Sequence, residues 1–180
     1  MPKAKETGAA PAPAKKTAGR RSYRSYGKIK PAPGKSKAER KLITVSFLGG
    51  LNEVGKNMTL FEYGEDMFLV EIVLAFPDQD MLGVDLVLPD FTYVERNADR
   101  IRGIVITHGH EDHIGGLPYL LKVLNVPVYG TKLTIGLIQG KLREHGLLNS
   151  ASLNVIKPGD VITLGGFTVE AIHVNHSIPD

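Results

Sequence analysis

The sequence predicts an α/β sandwich, in which short strands at both ends of the folded part enclose two helical segments. Apolar and polar residues alternate in several short segments, which is the period of a strand with one buried face. Two longer segments carry apolar residues at helical spacing. Because the strands are grouped at the ends, a sandwich is favoured over the doubly wound fold of nucleotide-binding proteins. No internal repeat is evident.

The folded part begins near Leu42, where the first alternating segment starts. That segment runs into Gly49 and Gly50, a pair typical of a turn. Helices are predicted at residues 117–124 and 133–145. Strands are predicted at residues 42–48, 57–63, 67–73, 102–107, 126–129, 161–164 and 168–173.

The chain divides into a basic tail, residues 1–40, and a folded part, residues 41–180. The first 41 residues carry 13 Lys and Arg residues and two acidic ones, whereas the remainder carries 9 basic and 17 acidic residues. The tail is rich in Ala, Pro and Gly and has no apolar periodicity, so we expect it to be disordered.

The tail contains a cluster suited to RNA, in which arginines for phosphates alternate with tyrosines for stacking on bases. A solvating tail without a defined partner is an equal alternative, and an organellar transit peptide is a third, because acidic residues are scarce. The cluster consists of Arg20, Arg21, Tyr23, Arg24 and Tyr26.

Two absences restrict the class of protein. No apolar run approaches the ~18 residues that a membrane helix needs, and no hydrophobic signal segment is present near the first residue. Cysteine is absent, so disulfides and thiolate ligands are excluded, and any metal site must use His, Asp or Glu. These observations point to a cytoplasmic protein without a membrane partner.

The most informative segment is residues 104–116, where an apolar strand is followed by His108, His110, Asp112 and His113. In extended backbone, residues two apart point the same way, so His108 and His110 can converge on one ion. A turn then brings Asp112 and His113 to a neighbouring position. Two adjacent ligand pairs suit two divalent ions, with zinc favoured and manganese as the alternative. A His-rich surface loop is disfavoured because the motif directly follows an apolar strand.

The pattern His-x-His-x-Asp-His at residues 108–113 resembles the signature of the metallo-β-lactamase superfamily. The flanking segments narrow the resemblance to the bacterial ribonuclease J type, within the β-CASP nucleases. These segments are residues 49–57, 76–85, 88–90 and 174–180. The resemblance runs from about residue 42 to the last residue, and it implies the αββα sandwich of the metallo-β-lactamase fold, here incomplete.

The resemblance implies a role for each residue of the motif. His108, His110 and His176 would ligate one metal ion, and Asp112 and His113 the other. Asp112 is also a candidate to orient a metal-bound hydroxide or to accept its proton, which makes it the predicted catalytic residue.

Other candidate residues are weaker. The resemblance implies that the carbonyl of Gly83 and the carboxylate of Asp85 contact a separate structural cation such as calcium, although a solvated acidic loop is at least as plausible. His145 and His173 are interpreted as packing or surface residues without a metal.

By resemblance, the activity is cleavage of RNA in processing and decay of rRNA and mRNA. It would combine 5′-to-3′ exonuclease action, favouring 5′-monophosphorylated RNA, with endonuclease action, in a dimer or tetramer of the complete chain. The residue pattern alone reaches only a two-metal hydrolase. Two alternatives remain: another hydrolase of the same fold, acting on thioesters, lactones or β-lactams, and a non-catalytic RNA-binding module.

The sequence departs from the family in two places. Glu71 and Val73 stand where the family has Asp and, two residues later, Gly. We expect Glu71 to be one methylene too long to support the metal site, and Val73 to resist the turn, so that metal binding or activity is weakened. The chain also lacks a further bridging Asp, a later His and the β-CASP domain, so we expect an N-terminal fragment that exposes apolar sheet surface and tends to aggregate.

Overall fold

A computed structural model describes residues 42–52 and 55–179. The basic tail lies outside the described residues, so its disorder and its RNA contacts stay predictions. This holds for Arg20, Arg21, Tyr23, Arg24 and Tyr26.

A six-stranded mixed sheet forms the centre of the described part, with its strands side by side in chain order. The pairs β1–β2 and β2–β3 are antiparallel, whereas β3, β4, β5 and β6 run parallel. Parallel strands end at the same edge of a sheet, so the segments that follow β3 and β4 meet there. The strands are β1 (Ile43–Phe47), β2 (Thr59–Tyr63), β3 (Asp66–Val70), β4 (Ile101–Val105), β5 (Val128–Gly130) and β6 (Leu153–Val155).

The longest helix, α4 (Lys132–Glu144), has an N-cap and an amphipathic pattern that explain why it forms. The Thr131 side chain accepts a hydrogen bond from the Thr134 amide at the first turn. Lys141 and Arg143 lie in the last turn, where positive charge is favourable. The shorter helices are α1 (Thr92–Arg96), a 3₁₀ turn (Ala98–Arg100), α2 (Glu111–Ile114) and α3 (Leu117–Leu120).

The last two strands, β7 (Val161–Leu164) and β8 (Phe167–Glu170), form a separate antiparallel hairpin. Asp66 of β3 attaches its turn to the main sheet, because Asp66 Oδ2 accepts from the Gly166 amide at 2.8 Å. Arg102 Nε donates to the other carboxylate oxygen at 2.6 Å. The hairpin is therefore held next to β3, and the chain leaving β8 returns towards the metal motif.

The core lies between the main sheet and the helices. Its residues come chiefly from β3, β4 and the helices α3 and α4, and each has less than a tenth of its surface exposed. By contrast, β1 exposes Ile43, Val45 and Phe47 at 63%, 46% and 58%, so apolar surface is accessible on that strand. The core includes Met67, Leu69, Ile104, Ile106, Leu117, Leu120, Ile135, Ile138 and Leu142.

The predicted elements are present; β7 has the predicted bounds, and the other elements begin or end at different residues. The strand predicted at 67–73 ends at Val70, because the next residue, Glu71, has a left-handed backbone with φ of 63°. The strand predicted at 102–107 ends at Val105, and the helix predicted at 117–124 ends at Leu120. Three further elements, α1, α2 and β6, were not predicted from the sequence. None of the helices in the described part is long and apolar enough to cross a membrane.

Candidate metal centre

The metal loop, defined here as residues 107–113, follows β4 at the edge where the parallel strands end. Ile106 still pairs with the neighbouring strand, since its amide donates to the Tyr129 carbonyl at 2.9 Å. His110 keeps an extended conformation with φ −65° and ψ 149°, and α2 begins at the next residue. His108 and His110 thus lie in extended chain, whereas Asp112 and His113 lie in the first turn of a helix. This change of backbone divides the motif into two parts.

The first donor set consists of His108, His110 and His176. His108 Nε2 lies 3.0 Å from His110 Nδ1, and one ring nitrogen from each of the three residues lies within 4.8 Å of the others. His176 Nδ1 accepts a hydrogen bond from the Ser177 amide at 2.7 Å, which leaves Nε2 of that ring for a ligand. Three imidazoles converging on one point are a donor set that zinc accepts.

The second donor set is Asp112 and His113. Asp112 Oδ2 lies 3.5 Å from His113 Nε2, a separation that one ion could bridge. The ring centres of His113 and His108 are 3.9 Å apart, so the two sets adjoin. The structure thus brings together all five predicted ligands as two neighbouring groups.

Glu71 supports the second donor set from beneath the loop. Its Oε2 lies 2.9 Å from His113 Nδ1, and its Oε1 accepts from the Thr107 amide at 2.8 Å. The hydrogen bond between Glu71 and His113 is the main cause that raises the pKa of His113. Burial lowers this pKa, and the charges of Glu71 and Asp112 raise it further. A carboxylate on Nδ1 sets the tautomer in which Nε2 carries the lone pair that a metal needs.

These contacts contradict the expectation that Glu71 is too long to support the site, whereas the expected weakening of metal binding or activity stays a prediction. Its left-handed backbone moves the carboxylate to a position from which it reaches both the loop and His113. The expectation for Val73 is also wrong, because the left-handed residue is Glu71. Val73 is buried, and its amide donates to the Asn57 carbonyl at 3.1 Å. A non-glycine residue in this conformation costs about 1–2 kcal/mol.

His108 is the most enclosed ligand, with 7% of its surface exposed. Its Nδ1 lies 2.8 Å from Thr107 Oγ1, so a protonated Nδ1 would donate to that hydroxyl while Nε2 faces His110. Burial is the main cause that lowers the pKa of His108, and the neighbouring imidazoles His113 and His176 lower it further. A lowered pKa favours the neutral imidazole, the form that binds a metal.

The backbone packs tightly behind α2. A Cβ at Gly116 would lie 2.8 Å from the Ile72 carbonyl oxygen, closer than a side chain can approach. The Gly116 amide donates to that same carbonyl at 3.0 Å, and the His113 carbonyl accepts from the Ile72 amide at 3.2 Å. The segment after β3 and the end of the metal loop are thus hydrogen-bonded to each other.

The remaining histidines take no part in the donor sets of the described residues. His173 is exposed and lines a mostly apolar cavity of about 380 Å³ that also includes Thr107. His145 packs edge-on against Tyr119, with ring centres 5.2 Å apart. Both placements agree with the interpretation of these residues as packing or surface histidines.

Gly83 and Asp85 lie in an exposed loop, and Gly83 has φ of 80°. Among residues 42–52 and 55–179, Asp85 does not join a group of three side chains that could hold a metal. The structural cation predicted there stays a prediction.

Two contacts of the site were missed in the sequence analysis. Thr107 supports His108 through its hydroxyl, and Ser177 orients His176 through its amide. The only sequence signal for these contacts was a Thr or Ser next to His108 and His176. Such neighbours are common on any protein surface.

The model of the family described as the metallo-beta-lactamase superfamily matches residues 51–179. Ribonuclease J 1 of Streptococcus pyogenes is 44% identical over 138 residues, which are 77% of this chain and 25% of that protein. Ribonuclease J of Synechocystis sp. is 48% identical over 135 residues, 74% of this chain and 21% of that protein.

Among solved structures, the metallo-β-lactamase SMB-1 in complex with mercaptoacetic acid has a TM-score of 0.46 and 17% sequence identity, covering 70% of this chain and 48% of that one. The chain spans about a quarter of the length of the curated relatives named above. The predicted resemblance to ribonuclease J is confirmed by those relatives. Because the family model matches more than half of the residues, the chain belongs to the metallo-β-lactamase superfamily.

Proposed function

We propose that this chain supplies the metal-binding part of a ribonuclease that hydrolyses RNA phosphodiester bonds with two divalent metal ions. The observation that carries the proposal is the pair of adjoining donor sets, in a chain 44% and 48% identical to two ribonucleases J. The ribonuclease activity in the names of those relatives is proposed for this chain.

The two donor sets would each hold one divalent ion. His108, His110 and His176 would hold one, and Asp112 and His113 the other, with zinc favoured by the imidazole-rich donor set and manganese as the alternative. When bound, such ions lower the pKa of a water molecule and polarise a phosphoryl oxygen. No nucleophilic side chain is then required.

The chain's own residues accept a proton and orient the metal ligands. Asp112 is 63% exposed along its side chain, so one carboxylate oxygen can bind metal while the other faces solvent and accepts a proton from a water molecule. Glu71 holds His113 by a 2.9 Å hydrogen bond. This bond prevents the ring from rotating away from Asp112.

Finer features of the proposal come from the resemblance. We propose 5′-to-3′ exonuclease action that favours 5′-monophosphorylated RNA, endonuclease action, a role in rRNA processing and mRNA decay, and a dimer or tetramer. The basic tail, residues 1–40, would hold RNA ahead of the folded part, residues 41–180. A calcium ion at Gly83 and Asp85, and a cytoplasmic location, are proposed on the same ground.

Cleavage of RNA labelled at its 5′-monophosphate tests the proposal. Release of labelled mononucleotides indicates 5′-to-3′ exonuclease action, and longer labelled fragments indicate endonuclease action. Both should disappear in chelator and in His108→Ala, whereas His173→Ala should behave as the unsubstituted chain. Cleavage of an ester substrate without cleavage of RNA would support another hydrolase of this fold, and RNA binding without any cleavage would support a binding module.

A further inference from the structure

Helix α4 carries a lysine that reaches the metal loop. Lys141 Nζ donates to Glu111 Oε1 at 2.5 Å, and this contact joins residues 30 positions apart. Glu111 stands between the ligands His110 and Asp112 and is the first residue of α2. The pair is partly exposed, at 26% for the Lys141 side chain and 51% for that of Glu111. A charge pair therefore links α4 to the residue that separates the two donor sets.

The backbone of the loop lies directly against the same face of α4. A Cβ at Gly109 would lie 2.5 Å from Leu137 Cδ1 and 3.4 Å from Thr134 Cα. Thr134, Leu137 and Lys141 are three and four residues apart, so they share one face of the helix. Two of these residues support the loop by contact at Gly109, and the third supports it by charge at Glu111.

The Glu111 carboxylate also lies close to the backbone of Gly115. A Cβ at Gly115 would lie 2.8 Å from Glu111 Oε1, so the carboxylate occupies space that the glycine leaves open. Because α2 is four residues long, a displacement of Glu111 would move Asp112 and His113 together. Glu111 is therefore placed where a shift of its backbone would change the distance between the two donor sets.

We propose that Lys141 is a positioning residue, which acts through Glu111 to set the separation of the two donor sets and so the affinity for the second metal ion. The inference rests on the metal binding proposed above. A partly exposed ion pair contributes little to global stability, so the effect should appear in metal binding rather than in unfolding. We expect a loss of about tenfold, the lower end of the range for outer partners of metal ligands, because Glu111 is not itself a ligand.

Cobalt titration of the 180-residue chain tests this inference, since the visible absorption of bound Co²⁺ reports occupancy and coordination. Lys141→Met should weaken the second equivalent by about tenfold, and Lys141→Arg, which keeps the charge, should restore most of the affinity. Glu111→Gln should weaken it similarly. Adding Lys141→Met to Glu111→Gln should have no further effect, because the coupling passes through that carboxylate. Lys132→Met, in the first turn of α4, is the matched control and should leave binding unchanged.

Each outcome decides between the proposals. If the unsubstituted chain binds no Co²⁺, the metal centre and this inference both fail. If that chain binds two equivalents and Lys141→Met binds them with the same affinity and spectrum, only the inference fails. It also fails if the losses of Lys141→Met and Glu111→Gln are fully additive, or if Lys132→Met causes the same loss. If Lys141→Met melts at a lower temperature than the unsubstituted chain, the affinities of Glu111→Gln and Lys141→Arg for the second Co²⁺ decide instead. A loss in Glu111→Gln with nearly full affinity in Lys141→Arg supports the inference, and equal affinities overturn it.

Discussion

Two ligands of the first donor set, His108 and His176, differ in how firmly the surrounding structure holds them. His108 is buried, follows a central strand and contacts Thr107 through its second ring nitrogen. His176 lies in an exposed segment after β8, near Ile172 and Val174, which are 77% and 69% exposed. One side of the site is therefore held by the buried core, whereas the other is carried by an exposed segment, and we expect fixing that segment on metal binding to cost conformational entropy.

Replacing His108 should have the largest effect. His108→Ala removes a ligand from the preorganised side, so we expect zinc affinity to fall by more than about 100-fold, beyond the usual effect of losing an outer partner. Competition with a chromophoric chelator measures this loss, and unfolding of the chelated protein checks that the variant still folds. An affinity within about tenfold of the unsubstituted chain would show that the buried histidine is not a ligand.

Replacing His176 should have a smaller effect than replacing His108. In His176→Ala a ligand is also lost, but the entropy cost of ordering its exposed segment is no longer incurred, and the two changes partly cancel. We expect a loss of about 10–100-fold in zinc affinity. His173→Ala, three residues earlier and also exposed, is the matched control and should bind as before. If His176→Ala lost more affinity than His108→Ala, the difference between the two sides would be disproved.

Glu71→Gln should reduce metal affinity by about tenfold, since it keeps the side-chain shape but removes the charge that orients His113. The loss should concern the ion held by Asp112 and His113 rather than the one held by the first donor set. Co²⁺ titration separates the two equivalents. An equal loss for both ions would show that Glu71 stabilises the whole loop rather than one ligand.

A still smaller effect should appear in the pH dependence of the metal-free chain. The pKa of His113 is raised, chiefly by its hydrogen bond to Glu71, so its stabilising contribution is complete below about pH 6.5 and is lost as pH rises through the raised pKa. The pKa of His108 is lowered, chiefly by burial, so stability rises as pH increases from that lowered pKa towards about 6.5. These two residues together give a maximum near pH 6.5.

Thermal unfolding in chelator between about pH 5 and 8 tests this expectation, since this is the range in which histidines titrate. In Glu71→Gln the decline above the maximum should become shallower, while the rise below it remains. A decline of the same slope in both proteins would assign it to a group other than His113.

The sequence by itself determined the part of the site that depends on neighbouring residues. The approach of His108 and His110 follows from alternation in extended chain, and the division from Asp112 and His113 follows from the turn after the strand. The α/β class and most strands were predicted for the same reason, because burial of one face imposes a period on nearby residues.

Only the tertiary structure decided the contacts between distant segments. The reach of Glu71 depends on a left-handed backbone, which the sequence offers no glycine to signal. Its bonds to Thr107 and His113 span 36 and 42 positions, and the Lys141–Glu111 pair spans 30. No local periodicity encodes such pairs, because they form only where the sheet and α4 bring separate segments to one edge. The sequence thus determined which residues could bind metal, and the packing of the fold decided what holds them in place.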